Sequence, residues 1–285
     1  MIQYLYLGRV DYAESLQLQA EIAVLVTEGR LHNVLLLLEH PPVLTLGRNA
    51  NRANVLASDD LLTRRGISLH HINRGGDVTY HGPGQLVGYP IFDLRTLSNP
   101  NGGRMGPVDF VRGMEEALIR LCAAYAIPTQ RIEGLTGVWC TAGSGSTSQG
   151  SGNSPDRKIA AIGIHVAKGI TSHGFALNVT TDLRDFDLIV PCGIPDHAVT
   201  SLAREVTHPD QLPTLESIAQ QAARQFGLVF NQHVLAVASL DDLRAQAAAT
   251  PVAFPAPAFP AQDTPLQVPA EVDRLHPAPE RPVRA

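Results

Sequence analysis

Residues 74–90, RGGDVTYHGPGQLVGYP, constrain this chain more than any other stretch of it. Five of these residues are glycine and two are proline, and between them stand Arg74, Asp77, Thr79, Tyr80, His81 and Gln85. Such a segment is not expected to be a plain strand, since glycine is placed where backbone must take positive φ or approach another group closely. A glycine-rich loop bearing this many hydrogen-bonding side chains reads as a ligand cradle. The alternative is a tight hairpin, which needs far fewer polar groups in a row. Gly82, Gly84 and Gly88 miss the spacing of a dinucleotide fingerprint, and no helix start follows them.

The pattern around the loop predicts helices and strands in mixed order. Asp11 with Glu14 is spaced as a capping box, opening a helix through Leu16, Leu18, Ala20, Ile22 and Leu25 that Gly29 stops. The unbroken apolar run at 34–38, bounded by Asn33 and Pro41-Pro42, predicts a buried strand, and Val43–Leu46 a second. Ser58 caps a short helix ending at Gly66, residues 67–72 alternate as a strand into the loop, and residues 85–94 leave it as another. Pro107 followed by Val108, Val111, Met114, Ala117, Leu118 and Leu121 predicts a long amphipathic helix to about Tyr125 with Cys122 on its apolar face. Strands are expected at 128–132, 136–140, 158–166 and 172–179, and helices at 214–226 and 240–248. Helices flanking strands joined by hairpin-like turns indicate an α+β fold with a mixed sheet.

At 285 residues and 44% hydrophobic content the chain suffices for one substantial domain. No apolar run reaches membrane-spanning length, and the N-terminal residues lack the layout of a signal peptide, so a cytoplasmic protein without a membrane partner is expected. A net charge of -5 argues against a nucleic-acid partner. Two segments offer no core: residues 141–156, TAGSGSTSQGSGNSPD, predict a flexible loop, and residues 251–285, nine of 35 being proline, a disordered tail. The folded domain is therefore expected over 1–250.

Three cysteines, Cys122, Cys140 and Cys192, show no CxxC spacing, which suggests neither a disulfide framework nor a zinc knuckle. Cys192 lies in DLIVPCGIPDH, where a Pro-Cys-Gly turn presents the thiol on a loop, as suits a nucleophile; a buried structural cysteine is the other reading. A thiol, with an unperturbed pKa of about 8.5, needs a neighbouring cation to act at neutral pH. Of 22 basic residues only Lys158 and Lys168 are lysines, which marks them as places where arginine does not serve. Lys158 opens KIAAIGIHVAKGI, so a partly desolvated ammonium is one reading and a surface lysine at a strand end the other. Lys168, beside Gly169 in a turn, reads as solvated. His81 suits either a structural hydrogen bond or a base. A metal site from His81, His173, His197 and Cys192 lacks the close-spaced pairs of zinc motifs, so no metal is expected. No P-loop and no GxSxG occurs.

Taken together, the 74–90 loop, GVW at 137–139, KIAAIGIHVAKGITSHGFALNV at 158–179 and PCGI at 191–194 resemble the lipoyl (octanoyl) transferases of lipoate biosynthesis, over roughly residues 5–230. The resemblance implies a fold like the catalytic domain of biotin and lipoate protein ligases. It implies transfer of an octanoyl group from octanoyl-acyl carrier protein to a lysine of lipoyl domains, in 2-oxoacid dehydrogenases and in the glycine cleavage H protein, without a cofactor. It further implies a thioester on Cys192, with Lys158 favouring the thiolate and moving protons. Substrate contacts carried over by motif are Arg74, Gly75, Gly76, Asp77, Val78, Thr79, Tyr80, His81, Ala161, Ile162, Gly163, Gly174, Phe175 and Ala176. Arg74 and Arg157 are expected at the mouth, steering an acidic carrier. Glycines 75, 76, 163 and 174 would let backbone line an acyl tunnel. An ATP-dependent lipoate ligase is the alternative, needing the lysine but no cysteine; an octanoyl relay between lipoyl domains would share the cysteine. The 141–156 run and the tail are extra to the family pattern.

Overall fold

The computed structural model describes residues 1–99, 102–141, 156–194 and 197–252. Its strands in chain order are β1 (Ile2–Arg9), β2 (Asn33–Glu39), β3 (Val43–Leu46), β4 (Ser68–His71), β5 (Val78–His81), β6 (Gln85–Ile91), β7 (Thr129–Ile132), β8 (Leu135–Cys140), β9 (Arg157–Ala167), β10 (Ile170–Asn178) and β11 (Val234–Ala236). Its helices are α1 (Tyr12–Thr27), α2 (Asp59–Arg64), α3 (Pro107–Ala123), α4 (Leu202–Glu205), α5 (Leu215–Phe230) and α6 (Leu240–Ala249).

The apolar run of β2 is buried throughout because the strand lies inside an eight-stranded mixed sheet, ordered β11-β1-β2-β6-β10-β9-β8-β7, and is covered on both faces. Leu35 and Leu37 join a cluster with Phe110, Met114 and Leu118 of α3 and Ile218 and Phe226 of α5. Their neighbours Val34, Leu36 and Leu38 join the opposite cluster with Leu18, Ile22 and Val26 of α1 and Leu243 of α6. Each such side chain contributes about 1.5–3 kcal/mol on burial, so the run fixes β2 between two helical layers. β2 runs parallel to β1 and antiparallel to β6, which pairs antiparallel with β10; β10, β9, β8 and β7 continue antiparallel. The result is the expected mixed sheet flanked by helices.

A second sheet, β4-β3-β5, packs Leu44, Leu46, Val78 and Tyr80 against Leu62, Phe186 and Ile189. It ties the 72–77 loop to the segment leading into Cys192. The caps follow the sequence: Asp11 accepts from Ala13 and Glu14 backbone N–H groups, Ser58 caps α2, and Pro107 opens α3. Helix α5 runs four residues past its expected end at 226, because Phe230 continues its apolar stripe, and closes at Asn231 in the left-handed conformation. β1, β5 and β11 were not expected: β5 lies inside the stretch read as a loop, and β1 and β11 pair parallel with each other from opposite ends of the sequence. The expected flexible segment and tail fall largely on residues 142–155 and 253–285, outside the described residues.

Candidate active site

β9 and β10, the 72–77 loop and the turn at 191–194 border a cavity of about 260 Å³. Cys192 enters it from a turn in which Cys192 (φ 56) and Gly193 (φ 69) are both left-handed, a conformation that costs a Cβ-bearing residue on the order of 1 kcal/mol. Surrounding hydrogen bonds hold the turn. Gly193 N–H donates to the Val190 carbonyl (3.0 Å), and Val190 N–H to the Asn54 carbonyl (2.7 Å). The Asp77 carboxylate accepts from Asn51 N–H (3.2 Å), from Val78 N–H (2.7 Å) and from the Asn54 side chain. A Cβ on Gly193 would stand 2.6 Å from Asp77 Oδ2, so the glycine after the cysteine is a packing requirement. Cys192 is the only one of the three thiols that is not buried. Burial pushes the Cys122 thiol up to about 12 and Cys140 above its usual range as well, so neither acts as a nucleophile.

Lys158, 6% exposed, lines the same cavity with its Nζ 4.6 Å from the centroid of the fully buried Trp139 ring. The GVW motif thereby acquires a physical meaning. Gly137 (φ 131) makes room, since a Cβ there would lie 2.6 Å from the Ala160 carbonyl and 3.4 Å from Lys158 Cε, and Trp139 offers a π face to the ammonium. Beneath them the buried Glu115 accepts from Gly137 N–H (3.1 Å), Arg112 (2.7 Å) and Arg131 (3.1 Å). Lys158 also donates its backbone N–H to the Ala198 carbonyl (2.9 Å) and accepts from Thr200 N–H (2.9 Å), joining β9 to the chain just beyond Cys192.

His81 and His173 line the cavity, and His40 packs against His81. His81 donates from Nδ1 to Gln85 Oε1 (2.7 Å), while Gln85 Nε2 donates to the Tyr80 carbonyl (3.1 Å) and to Asn178 (2.9 Å). His40 bridges the Val10 carbonyl and the Tyr89 hydroxyl at 2.7 Å each, and His173 meets Asn73 Oδ1 at 2.7 Å. Burial, with nearby charges adding to it, lowers the pKa of His81 to about 3; burial likewise lowers His40 and His173 to about 4. All three are neutral near pH 7, and a pKa of about 3, with Nδ1 committed to Gln85, makes His81 a weak proton acceptor. Among the described residues no cluster of three or more metal-capable side chains occurs, and His197 packs edge-on to Trp139 at 5.0 Å.

The structure brings together Cys192, Lys158, Arg74, Gly76, Asp77, Thr79, His81, Ala161, Ile162, Gly163, Gly174, Phe175 and Ala176 at this cavity. Three motif residues do not reach it. β5 alternates, so Thr79 and His81 face the cavity while Val78 and Tyr80 face the small-sheet core, the Tyr80 hydroxyl donating to Asp185 (2.7 Å). Gly75 instead borders an adjoining apolar cleft with Val108, Val111 and Ile164. Glycine here serves close packing of backbone more than an open bore: a Cβ on Gly163 would lie 2.6 Å from the Gly75 carbonyl, and one on Gly174 would collide with the Gly88 carbonyl. Steering does not fall to the two arginines named for it. Arg74 is 9% exposed with its guanidinium turned inward onto Thr45, and Arg157 is paired with both carboxylate oxygens of Glu205 at 3.0 Å.

Several lining residues went unread in the sequence, among them Tyr12, Val87, Tyr89, Leu135, Thr136 and Ile194. The period of two along β6 carried the signal for Val87 and Tyr89. Tyr12, at the start of α1, had none.

Residues 11–227 match the family model of the lipoyl protein ligase A/B catalytic domain. An octanoyltransferase of Acidobacterium capsulatum is 57% identical over 244 residues, 85% of this chain and 96% of the relative. One from Koribacter versatilis is 49% identical over 276 residues, 97% of each chain. Among solved structures, a bipartite lipoate protein ligase from Thermoplasma acidophilum, studied with its E2 lipoyl domain, superposes with a TM-score of 0.61 at 16% identity, covering 87% of this chain and 91% of that one. Lipoate-protein ligase A bound with ATP gives 0.60 at 16% identity, with 87% and 94% covered; these two share the fold. With that domain spanning most of its length and octanoyltransferases at 57% and 49% identity beside it, the chain belongs to the lipoyl protein ligase A/B catalytic-domain family, as an acyltransferase of the octanoyltransferase kind.

Proposed function

We propose that the protein carries an octanoyl group from octanoyl-acyl carrier protein to a lysine of lipoyl domains through a thioester on Cys192. One observation carries this reading: the half-buried thiol, held in a left-handed turn, opens into the same cavity as Lys158. An ATP-dependent ligase needs no such thiol. Val87, Ile162, Phe175 and Ile194 give the cavity an apolar lining, on which the acyl chain gains about 0.8 kcal/mol per methylene, on the order of 5 kcal/mol in all.

Chemistry then proceeds in two halves. The Cys192 thiolate attacks the donor thioester carbonyl, the new S–C bond forms, the donor C–S bond breaks, and the departing carrier sulfur takes a proton from the Lys158 ammonium. An acceptor lysine amine next attacks the acyl-enzyme, passes a proton to the Lys158 amine, and expels Cys192 as thiolate. Exchanging one thioester for another is close to neutral in energy, so the first half needs no ATP. The acceptors under this reading are lipoyl domains of 2-oxoacid dehydrogenases and the glycine cleavage H protein, met in the cytoplasm; no helix among the described residues is long and apolar enough to cross a membrane.

Intact-mass spectrometry after mixing with octanoyl-acyl carrier protein, without ATP, tests the reading. An added octanoyl mass that disappears in Cys192→Ala supports it. Octanoylation of a lipoyl domain that requires ATP, with no adduct on the enzyme, returns the ligase mechanism.

A further inference from the structure

Arg74 is a buried guanidinium with no anion in contact. Its Nε and both terminal nitrogens donate only to neutral oxygens, those of Thr45 Oγ1 (3.3 and 2.9 Å), the Thr45 carbonyl (2.7 Å) and the Gly75 carbonyl (2.9 Å). Among the described residues it makes no ion pair. A buried charge left this way is costly, and an arginine does not escape the cost by losing its proton. Such a group is worth keeping only where an anion faces it.

The groups around Arg74 leave two anions, the Asp77 carboxylate and the Cys192 thiolate, and the first is already held by other donors. Tyr12 and Tyr89 are held protonated by burial. Asp77 is occupied by two backbone N–H groups and Asn54. His40, His81 and His173 are neutral. Burial pulls the Arg74 pKa below its ordinary value, and the strongest influence pushing back is the charge of Cys192, ahead of Tyr12, Tyr89 and Asp77. Arg74 and Cys192 line one cavity. The ammonium of Lys158, by contrast, rests over the Trp139 ring.

We infer that Arg74 is the fixed counter-ion of the Cys192 thiolate and that Lys158 is the proton carrier, so that the two cations divide the labour. This rests on the proposed acyl-transfer reading. An arginine keeps its charge through the cycle, whereas a lysine that gives its proton to the departing carrier sulfur is neutral while the acceptor amine attacks. When Cys192 is expelled from the tetrahedral intermediate, its sulfur regains a negative charge facing Arg74, and the acceptor's proton has already passed to Lys158. No proton or electron is left over.

The test is the rate of Cys192 alkylation by iodoacetamide between pH 5 and 10, read site by site by mass spectrometry, in wild type, Arg74→Met, Arg74→Lys and Lys158→Met. Neither donor nor acceptor takes part, so failure here leaves octanoyl transfer standing, and failure of octanoyl transfer leaves this result standing. Arg74→Met is expected to alkylate about tenfold or more slowly at pH 7, its profile moved to higher pH by about one unit or more, with Arg74→Lys close to wild type. Lys158→Met should shift the profile less than Arg74→Met does. A folded Arg74→Met whose profile superimposes on wild type overturns the inference. So does a Lys158→Met profile moved all the way to the free-thiol midpoint of about 8.5, a result that decides the matter even if Arg74→Met fails to fold.

Discussion

Substituting Ala161 by Leu gives the acyl cavity its sharpest test. Ala161 stands on β9 directly opposite Ala176 on β10, and both line the cavity. Because it is only partly buried, an isobutyl group at 161 projects into the space the acyl chain would fill, displacing about three methylenes' worth of it. At about 0.8 kcal/mol each, three methylenes are worth roughly 2.4 kcal/mol, or roughly 60-fold in kcat/KM. Wild type should therefore prefer an octanoyl over a pentanoyl thioester on a common carrier by about that factor, and Ala161→Leu should bring the preference close to unity by losing activity on the longer chain. The assay is kcat/KM for the two thioesters in both proteins, with thermal midpoints confirming that the variant is folded. A variant that keeps the wild-type preference refutes the placement of the chain against β9.

Two further outcomes follow from the buried polar groups. His40, His81 and His173 have folded-state pKa values of about 4, 3 and 4, so the unfolded chain takes up a proton at each as pH falls through about 6.5 while the folded chain does not. Their full contribution is present above that pH and is lost as pH falls toward 4, about 1.4 kcal/mol for each by pH 5.5; thermal midpoints equal at pH 7.5 and 5.5 would refute this. Glu115→Ala removes the acceptor shared by Gly137 N–H, Arg112 and Arg131, and is expected to cost about 2 kcal/mol in urea unfolding, the two arginines being free to turn to solvent. A loss under about 0.5 kcal/mol would show that the Gly137 turn stands without it.

Much of the fold was legible because local signals agreed with their surroundings. The apolar run of β2 could only be covered on both faces, the stripe of α3 faces the sheet, and Asp11, Ser58 and Pro107 start helices where capping chemistry puts them. β1 and β11 carry no turn signal because they pair parallel with each other from opposite ends of the sequence. Of the candidate site, the loop-borne Cys192, the rare Lys158 and the glycine-rich loop could be picked out by residue type, and they line one cavity. Which side each residue faces was not. Val78 and Tyr80 share a motif with Thr79 and His81 yet belong to a core, because four consecutive residues of a strand must alternate. Nor did the sequence mark Thr45, a residue of β3 whose hydroxyl and carbonyl hold Arg74.

The proposed mechanism requires the Cys192 thioester to lie on the path to product. Enzyme acylated with octanoyl-acyl carrier protein, freed of donor and mixed with a lipoyl domain in a rapid-quench apparatus, measures this directly. Octanoyl should leave Cys192 and appear as an amide on the lipoyl-domain lysine at a rate no slower than steady-state turnover, with no ATP present. An acyl-enzyme that stays loaded, or that transfers more slowly than the enzyme turns over, would contradict it.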